Sequence, residues 1–174
     1  ELRNEGLALR VLQQARKWHP SGVRLVPQIC KMALSRSDFN VAWQAVEVLE
    51  NVLSKSRWHL EWFASRDERF LAHNVSFVSE SASALSLYYA AAGNARREKR
   101  YAAQFGKSVK QLLRTEMIYW NQLERALYAG RRQEVEDLIP KLSQQGTPPR
   151  GYEYLADIIP EVQMRSVTEG RVAV

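Results

Sequence analysis

The chain has 174 residues, 45% of them hydrophobic and 25% charged, a composition that is typical of one globular domain and excludes a largely disordered chain. Its formal net charge is +6, and its single cysteine, Cys30, excludes a disulfide framework and a cysteine metal cluster. No apolar run approaches the roughly 20 residues that a membrane span needs, so we expect a soluble protein. The single cysteine fits a reducing compartment, the cytoplasm or an organelle matrix.

Helix-forming residues dominate, with apolar positions at steps of three and four residues. Turn-forming residues divide this pattern into short helices, which predicts antiparallel neighbours. We therefore predict a single all-α domain over 1–164 and a tail over 165–174. Because the chain starts at Glu1 without Met and its first residues already resemble the middle of a helix, we expect a piece of a longer protein. The predicted helices span residues 4–18, 23–36, 38–55, 58–72, 77–92, 95–113, 116–129, 132–144 and 151–164.

The first part of the chain places small residues where paired helices would approach closely. The segment "GLALRVLQQARKWHP" holds a small, large, small, proline series: Ala8, Leu12, Ala15 and Pro20. The next segment, "SGVRLVPQICKMALSRSDFNVAWQAVEVLENVL", places small residues on two successive helices: Cys30, Ala33 and Ala42. Over roughly residues 5 to 53 this pattern resembles the tetratricopeptide repeat, a helix-turn-helix unit of about 34 residues. Val26 and Cys30 stand in place of the tryptophan and glycine of the family's first helix.

A second resemblance covers residues 116–150, "EMIYWNQLERALYAGRRQEVEDLIPKLSQQGTPPR". This segment is similar to a pentatricopeptide repeat, a related helical hairpin that many organellar RNA-binding proteins use. The residues that carry the likeness are Tyr119, Gly130, Leu142, Gly146 and Pro149. Trp120 and Arg150 occupy the two positions that read RNA bases in that family, so the resemblance implies the fold but not the base-reading code. Pro140 interrupts the second helix, at a cost of about 3 kcal/mol if it is internal.

The two resemblances together imply a right-handed solenoid of antiparallel helix pairs, an architecture that exposes a surface for extended partners.

Aromatic residues are concentrated between the two resemblances, in "SKSRWHLEWFASRDERFLAHNVS", residues 54–76. One interpretation is a helix whose aromatic side chains fill or cap the core. The other is an aromatic groove for a peptide or an unstacked base. Under the second interpretation the candidate contacts are Trp58, Trp62 and, from the later repeat, Trp120.

The segment "ARREKRYAAQFGKSVKQLLR", residues 95–114, contains seven Lys or Arg and one Glu. Its net charge of +6 equals that of the whole chain. Its apolar residues fall on the opposite side of the predicted helix: Tyr101, Ala102, Phe105, Val109, Leu112 and Leu113. At about 100° per residue, five cations share an arc of about 80°: Arg96, Arg100, Lys107, Lys110 and Arg114. Such an arc predicts either an anion-binding or acidic-partner surface, or a solvated helix face.

Residues with catalytic or metal-binding chemistry are sparse. His19, His59 and His73 lack the four-residue spacing of a helical metal pair, and no Gly-rich phosphate loop or nucleophile motif is present. Cys30 occupies a small-residue packing position, which favours a buried, inert thiol. We therefore expect no enzyme activity, cofactor or metal.

The first functional hypothesis is a scaffold for protein assembly, with the basic helix docked on an acidic or ribonucleoprotein surface. The second is RNA binding through backbone phosphates. A third is a helical accessory domain of an enzyme.

Overall fold

The computed structural model describes residues 22–54, 69–144 and 148–156. In these ranges all regular structure is helical, with six α-helices, two 3-10 helices and no strand, which confirms the all-α prediction there. None of the helices found there is both long and apolar enough to cross a membrane. The elements are a 3-10 helix Gly22–Leu25, α1 Val26–Ser35, α2 Phe39–Ser54, α3 Arg69–Ala91, α4 Ala95–Gln111, α5 Met117–Tyr128, α6 Arg132–Ser143 and a 3-10 helix Glu153–Leu155.

The chain divides after Leu113 into two compact units, whereas the sequence analysis treats residues 1–164 as one domain. In the first unit α1 packs against α2 and α3, and α3 packs against α2 and α4. In the second unit α5 packs against α6. Each unit is described separately below.

Three helical hairpins, α1/α2, α3/α4 and α5/α6, share one turn geometry. Each first helix is followed by a residue with positive φ: Ser37 at 58°, Gly93 at 69° and Gly130 at 65°. The next residue donates its backbone N–H to the carbonyl five positions earlier, at 2.8 Å in Asp38 and Asn94 and at 2.9 Å in Arg131. This is the hydrogen bond of a Schellman motif, which satisfies carbonyls that the helix end leaves free. All three turns lie where the sequence predicts them.

Side-chain caps start two of the second helices. The Asp38 side chain accepts a hydrogen bond from the backbone N–H of Val41 at 3.1 Å, and Asn94 accepts one from Arg97 at 3.1 Å. A cap of this kind satisfies an N–H that the first turn cannot use and is worth about 1 kcal/mol. These two caps therefore define where α2 and α4 begin.

One predicted break between helices and one predicted helix are wrong. Helix α3 begins at Arg69, so no break separates residues 72 and 77. Residues 69–91 contain neither Gly nor Pro, and polar residues alone do not interrupt a helix that packs on its neighbours. The predicted helix 151–164 is replaced, within the described residues, by the short 3-10 helix Glu153–Leu155. The predicted helices 4–18 and, in large part, 58–72 lie outside the described residues.

Small side chains line the core of the first unit where α1, α2 and α3 meet. The Cys30 Sγ lies 4.0 Å from the backbone oxygen of Ala42 and 4.0 Å from that of Ala84. Cys30, Ala42 and Ala84 are all fully buried, so the three helices approach closely around them. Burial raises the pKa of the Cys30 thiol to about 12, which makes it the inert space-filler that the sequence predicts.

The second unit has its own apolar core between α5, α6 and the segment that follows α6. Its buried members are Trp120, Leu123, Ala126, Val135, Leu138, Ile139, Leu142, Tyr152 and Leu155. Pro140 lies inside α6, as predicted, and is exposed. Because the carbonyl that loses its partner at Pro140 can turn to water, the helix continues to Ser143.

Candidate functional site

Helix α4 presents its cations on the side opposite to its packed face. Tyr101, Phe105 and Val109 are buried, at 5%, 2% and 0% exposure, because this side of α4 contacts α3. All basic side chains of the helix are exposed, and Arg97 among them is paired with Glu50. The others form what we call the basic face: Arg96, Lys99, Arg100, Lys107 and Lys110. From Arg96 to Lys110 this face extends about 21 Å along the helix axis.

No member of the basic face forms an ion pair with another described residue. The one acidic residue of the helix, Glu98, is only 6% exposed and so is not interleaved among the exposed cations. Arg96 also lies in the first turn, where the helix dipole disfavours positive charge. The basic face therefore carries its charge without local compensation from the described chain.

Arg114 is not part of α4. The helix ends at Gln111, and Leu113 adopts a left-handed backbone with φ of 54°, which stops the helical repeat. Leu113 is 88% exposed, whereas the sequence places it on the apolar face of the helix. The arc predicted for five cations therefore contains four of them, and Arg114 begins the second unit.

A polar cluster beside the basic face joins α2, α3 and α4 around the carboxylate of Glu50. Its Oε1 accepts hydrogen bonds from the Tyr89 hydroxyl at 2.9 Å and the Tyr101 hydroxyl at 2.8 Å. Arg97 Nη1 lies 3.4 Å from the same oxygen and donates a hydrogen bond to the Tyr89 hydroxyl. We call these four residues the Glu50 cluster. Their donors compensate the Glu50 charge within the fold.

Aromatic contacts add to the hydrogen bonds of this cluster. The rings of Tyr89 and Tyr101 lie 5.8 Å apart and within 8° of parallel. The Arg97 guanidinium lies 5.2 Å from the centre of the Tyr89 ring, and that of Arg100 lies 5.6 Å from the centre of the Tyr101 ring. Contacts of a cation with an aromatic ring contribute about 0.5–1 kcal/mol at exposed sites. Arg100 is thus positioned by the ring of its buried neighbour.

An open cavity of about 430 Å³ lies between α2 and α4, next to the Glu50 cluster. Residues of both helices line it: Glu50, Asn51, Leu53, Arg97, Arg100, Tyr101 and Gln104. Two of these, Arg97 and Arg100, are cationic, and one, Glu50, is anionic. The cavity therefore connects the Glu50 cluster to the basic face through Arg100.

The Glu50 cluster changes the acidity of its two tyrosines. Burial, reinforced by the hydrogen bond to Glu50, raises the pKa of Tyr89 from 10.0 to about 12. Burial and the Glu50 hydrogen bond raise the pKa of Tyr101 to about 12 in the same way. Arg97 opposes the shift at Tyr89 and Arg100 opposes it at Tyr101, because a cation favours the ionised phenol.

Substitution of Glu50 by glutamine is expected to reduce the alkaline sensitivity of the fold. A phenol whose pKa is raised in the folded state contributes stability below its unfolded value, near 10.0, and this stability is lost as pH rises to about 12. Glu50→Gln brings both folded pKa values closer to 10.0, so it flattens this loss. It also lowers the free energy of unfolding at neutral pH by about 1–2 kcal/mol, because charge-assisted hydrogen bonds are removed.

Thermal unfolding measured at a series of pH values tests this expectation. Glu47→Gln, at an exposed position of the same helix, is the matched control and should behave as the unaltered chain. Equal alkaline profiles for the Glu50 and Glu47 variants would show that Glu50 does not control the two tyrosines.

Of the three aromatic residues predicted as contacts, Trp120 lies within the described residues. Trp58 and Trp62 lie outside the described residues. Trp120 is 1% exposed and packs in the core of the second unit, so its ring is not presented to a ligand. An exposed aromatic pair on α2 was not predicted: Phe39 is 48% and Trp43 is 41% exposed. Their four-residue spacing beside the buried face of α2 was the signal that could have identified them.

Residues 22–54, 69–144 and 148–156 offer little metal-binding or nucleophilic chemistry. Among the described residues, no group of three or more His, Cys, Asp or Glu side chains is arranged to hold a metal ion. His19 and His59 lie outside those ranges, and nothing is described of the His73 side chain. The thiol of Cys30 is buried and therefore not accessible to a substrate.

Comparison of the chain with models of known families, with curated proteins and with solved structures found no match.

Proposed function

We propose that the chain is a non-catalytic helical-repeat scaffold for protein assembly, and that the basic face of α4 docks an acidic surface of a partner protein. The observation that carries this proposal is the basic face of α4, five exposed cations of which none forms an ion pair with another described residue. Opposite charge on a partner would supply the missing compensation and steer its approach.

The hairpin geometry supports the repeat part of the proposal. Three successive helix pairs close with the same positive-φ turn and the same hydrogen bond, which is the arrangement expected of a repeated helix-turn-helix unit. In the first unit α1 and α3, the first helices of successive pairs, also contact each other. A right-handed solenoid of such pairs would extend this stacking and bury a continuous core.

Gly106 supports a docking function for α4. It lies in the middle of the helix, where glycine costs about 1 kcal/mol relative to alanine. A Cβ added at this position would meet no atom of the structure within 4 Å, so packing within the described chain does not require glycine. A partner that lies close against the helix would benefit from the missing side chain.

Anisotropy titration with labelled probes tests the proposal. The first probe is a glutamate-rich peptide, and the second is a single-stranded RNA of mixed sequence. The test variant combines Lys107→Glu with Lys110→Glu on the basic face. The control combines Lys141→Glu with Arg150→Glu, which are exposed residues of the second unit and give the same change of net charge.

We expect the chain to bind the peptide and the test variant to bind it about tenfold more weakly, because each lost exposed pair is worth about 0.2–1 kcal/mol and reversal adds repulsion. The control should stay within about twofold of the unaltered chain. Equal losses in both variants would contradict the proposal, because binding would then follow net charge alone. Circular dichroism of both variants confirms that they are folded.

RNA is the alternative ligand, and its phosphates would lie along the same cations. An affinity for RNA that falls with a log-log salt slope of about −0.7 per contact, without binding of the peptide, would replace the protein partner by RNA. A packed protein interface combines apolar and polar contacts and is less sensitive to salt.

A further inference from the structure

We propose that the cavity between α2 and α4 is a socket for a carboxylate side chain of the acidic partner, and that Arg100 binds this carboxylate. This inference rests on the proposed function and specifies where the partner is anchored. It is carried by the geometry of the cavity and by the distribution of charge on its walls.

The cavity has the size of a binding site. Its volume of about 430 Å³ lies within the range of about 300–1,000 Å³ that is common for ligand pockets. The cavity opens beside the basic face. A segment of the partner that lies along α4 can therefore insert a side chain into the cavity and remain in contact with the helix. Leu53, half-buried, and the ring of Tyr101 supply apolar wall for the methylene groups of such a side chain.

The charge of the cavity favours an anion. Glu50 already accepts hydrogen bonds from Tyr89, Tyr101 and Arg97, so its negative charge is compensated within the fold. Arg100 also lines the cavity, and it forms no ion pair with the residues that the structure describes. The uncompensated charge of the cavity is therefore the guanidinium of Arg100.

Arg100 is also positioned before a ligand arrives. Its guanidinium lies over the ring of Tyr101, which is stacked on Tyr89 and bonded through its hydroxyl to Glu50. A side chain held in this way loses less conformational entropy on binding. The planar guanidinium can donate two parallel hydrogen bonds to one carboxylate. Gln104, one turn further along α4, lines the same cavity and adds an amide donor.

The charge of the cavity matches a single carboxylate. The Glu50 side chain is 28% exposed, but its charge is compensated by the hydrogen bonds of the Glu50 cluster. One carboxylate brings one negative charge, which matches the one guanidinium that is uncompensated.

Two pairs of variants test the socket, and the first pair fills the cavity without changing any charge. Gln104→Trp places a large side chain in the cavity, whereas Gln111→Trp places the same side chain at an exposed position of α4 away from the cavity-lining residues. Both variants are titrated with the labelled glutamate-rich peptide and with the labelled RNA. Arg100→Gln is compared with Lys107→Gln, because both remove one exposed cation from α4.

We expect Gln104→Trp to weaken peptide binding by about tenfold, the scale of a lost charge-assisted hydrogen bond, while Gln111→Trp leaves it unchanged. Arg100→Gln should weaken binding more than Lys107→Gln. Peptide binding that is equal in the Gln104 and Gln111 variants, or equal in the Arg100 and Lys107 variants, would overturn the socket.

The outcomes separate the socket from the basic face. If the socket fails but Lys107→Glu with Lys110→Glu still loses the peptide, the docking function stands without an anchor in the cavity. If no variant of α4 changes peptide binding, both proposals fail. If Gln104→Trp abolishes RNA binding while the peptide does not bind, the cavity belongs to a nucleotide and the carboxylate socket is rejected.

Discussion

Replacement of Trp120 by alanine is expected to lower the free energy of unfolding by about 3–5 kcal/mol, the usual cost of removing a buried tryptophan. The side chain is 1% exposed and lies in the core formed by α5, α6 and the segment around Tyr152. Its Nε1 has no hydrogen-bond partner among the described residues, so the expected loss comes from packing. Trp120→Phe should therefore cost less than half as much.

Urea-induced unfolding followed by circular dichroism measures this effect. Trp43→Ala is the matched control, because it removes the same side chain from a position that is 41% exposed and contacts Tyr88 with ring centres 5.9 Å apart. The control is expected to lose about 0.5–1.5 kcal/mol. A Trp120 variant that keeps its stability but loses affinity for RNA would instead support the aromatic contact that the sequence suggests for Trp120.

Replacement of Leu85 by alanine is expected to destabilise the first unit by about 2–5 kcal/mol. Leu85 is fully buried on α3, the helix that contacts α1, α2 and α4. Truncation at this position leaves a cavity that the small neighbouring residues cannot easily fill, since the Cys30 Sγ already contacts the backbone oxygen of Ala84.

Leu113→Ala is the control for Leu85→Ala, because it makes the same substitution at a residue that is 88% exposed. Its effect should stay within about 0.5 kcal/mol, as for other surface positions. Both variants are compared by urea-induced unfolding. A loss for Leu113→Ala as large as that for Leu85→Ala would mean that Leu113 is covered in solution. A loss for Leu85→Ala as small as that expected for Leu113→Ala would mean that packing around Leu85 does not stabilise the first unit.

Measuring stability and binding for the same variants separates effects on the surface of α4 from effects on the fold. Substitutions on the basic face alter exposed side chains and should leave unfolding nearly unchanged, whereas Trp120→Ala and Leu85→Ala should act on the fold itself. A loss of peptide binding without a loss of stability can therefore be assigned to the surface of α4.

Local features were predictable from the sequence alone. The turns at Ser37-Asp38, Gly93-Asn94 and Gly130-Arg131 were placed correctly, because positive φ and side-chain caps depend on a few adjacent residues. The basic arc of α4 was predictable for the same reason, since helical periodicity alone brings Arg96, Arg100 and Lys107 to one side. The end of that arc was not predictable, because the left-handed backbone of Leu113 ends the helical periodicity before Arg114.

The tertiary structure alone decided which residues meet across the helices. Glu50 lies 39 positions from Tyr89 and 51 from Tyr101, and no periodicity within one helix relates them. Trp120 was open to two interpretations until its neighbours on α6 were known, because a helical position is buried only if another element covers it. The sequence by itself determined most of the described helices, the turns of the three hairpins and the charge of α4. Packing between distant segments determined the Glu50 cluster, the cavity beside it and the burial of Trp120.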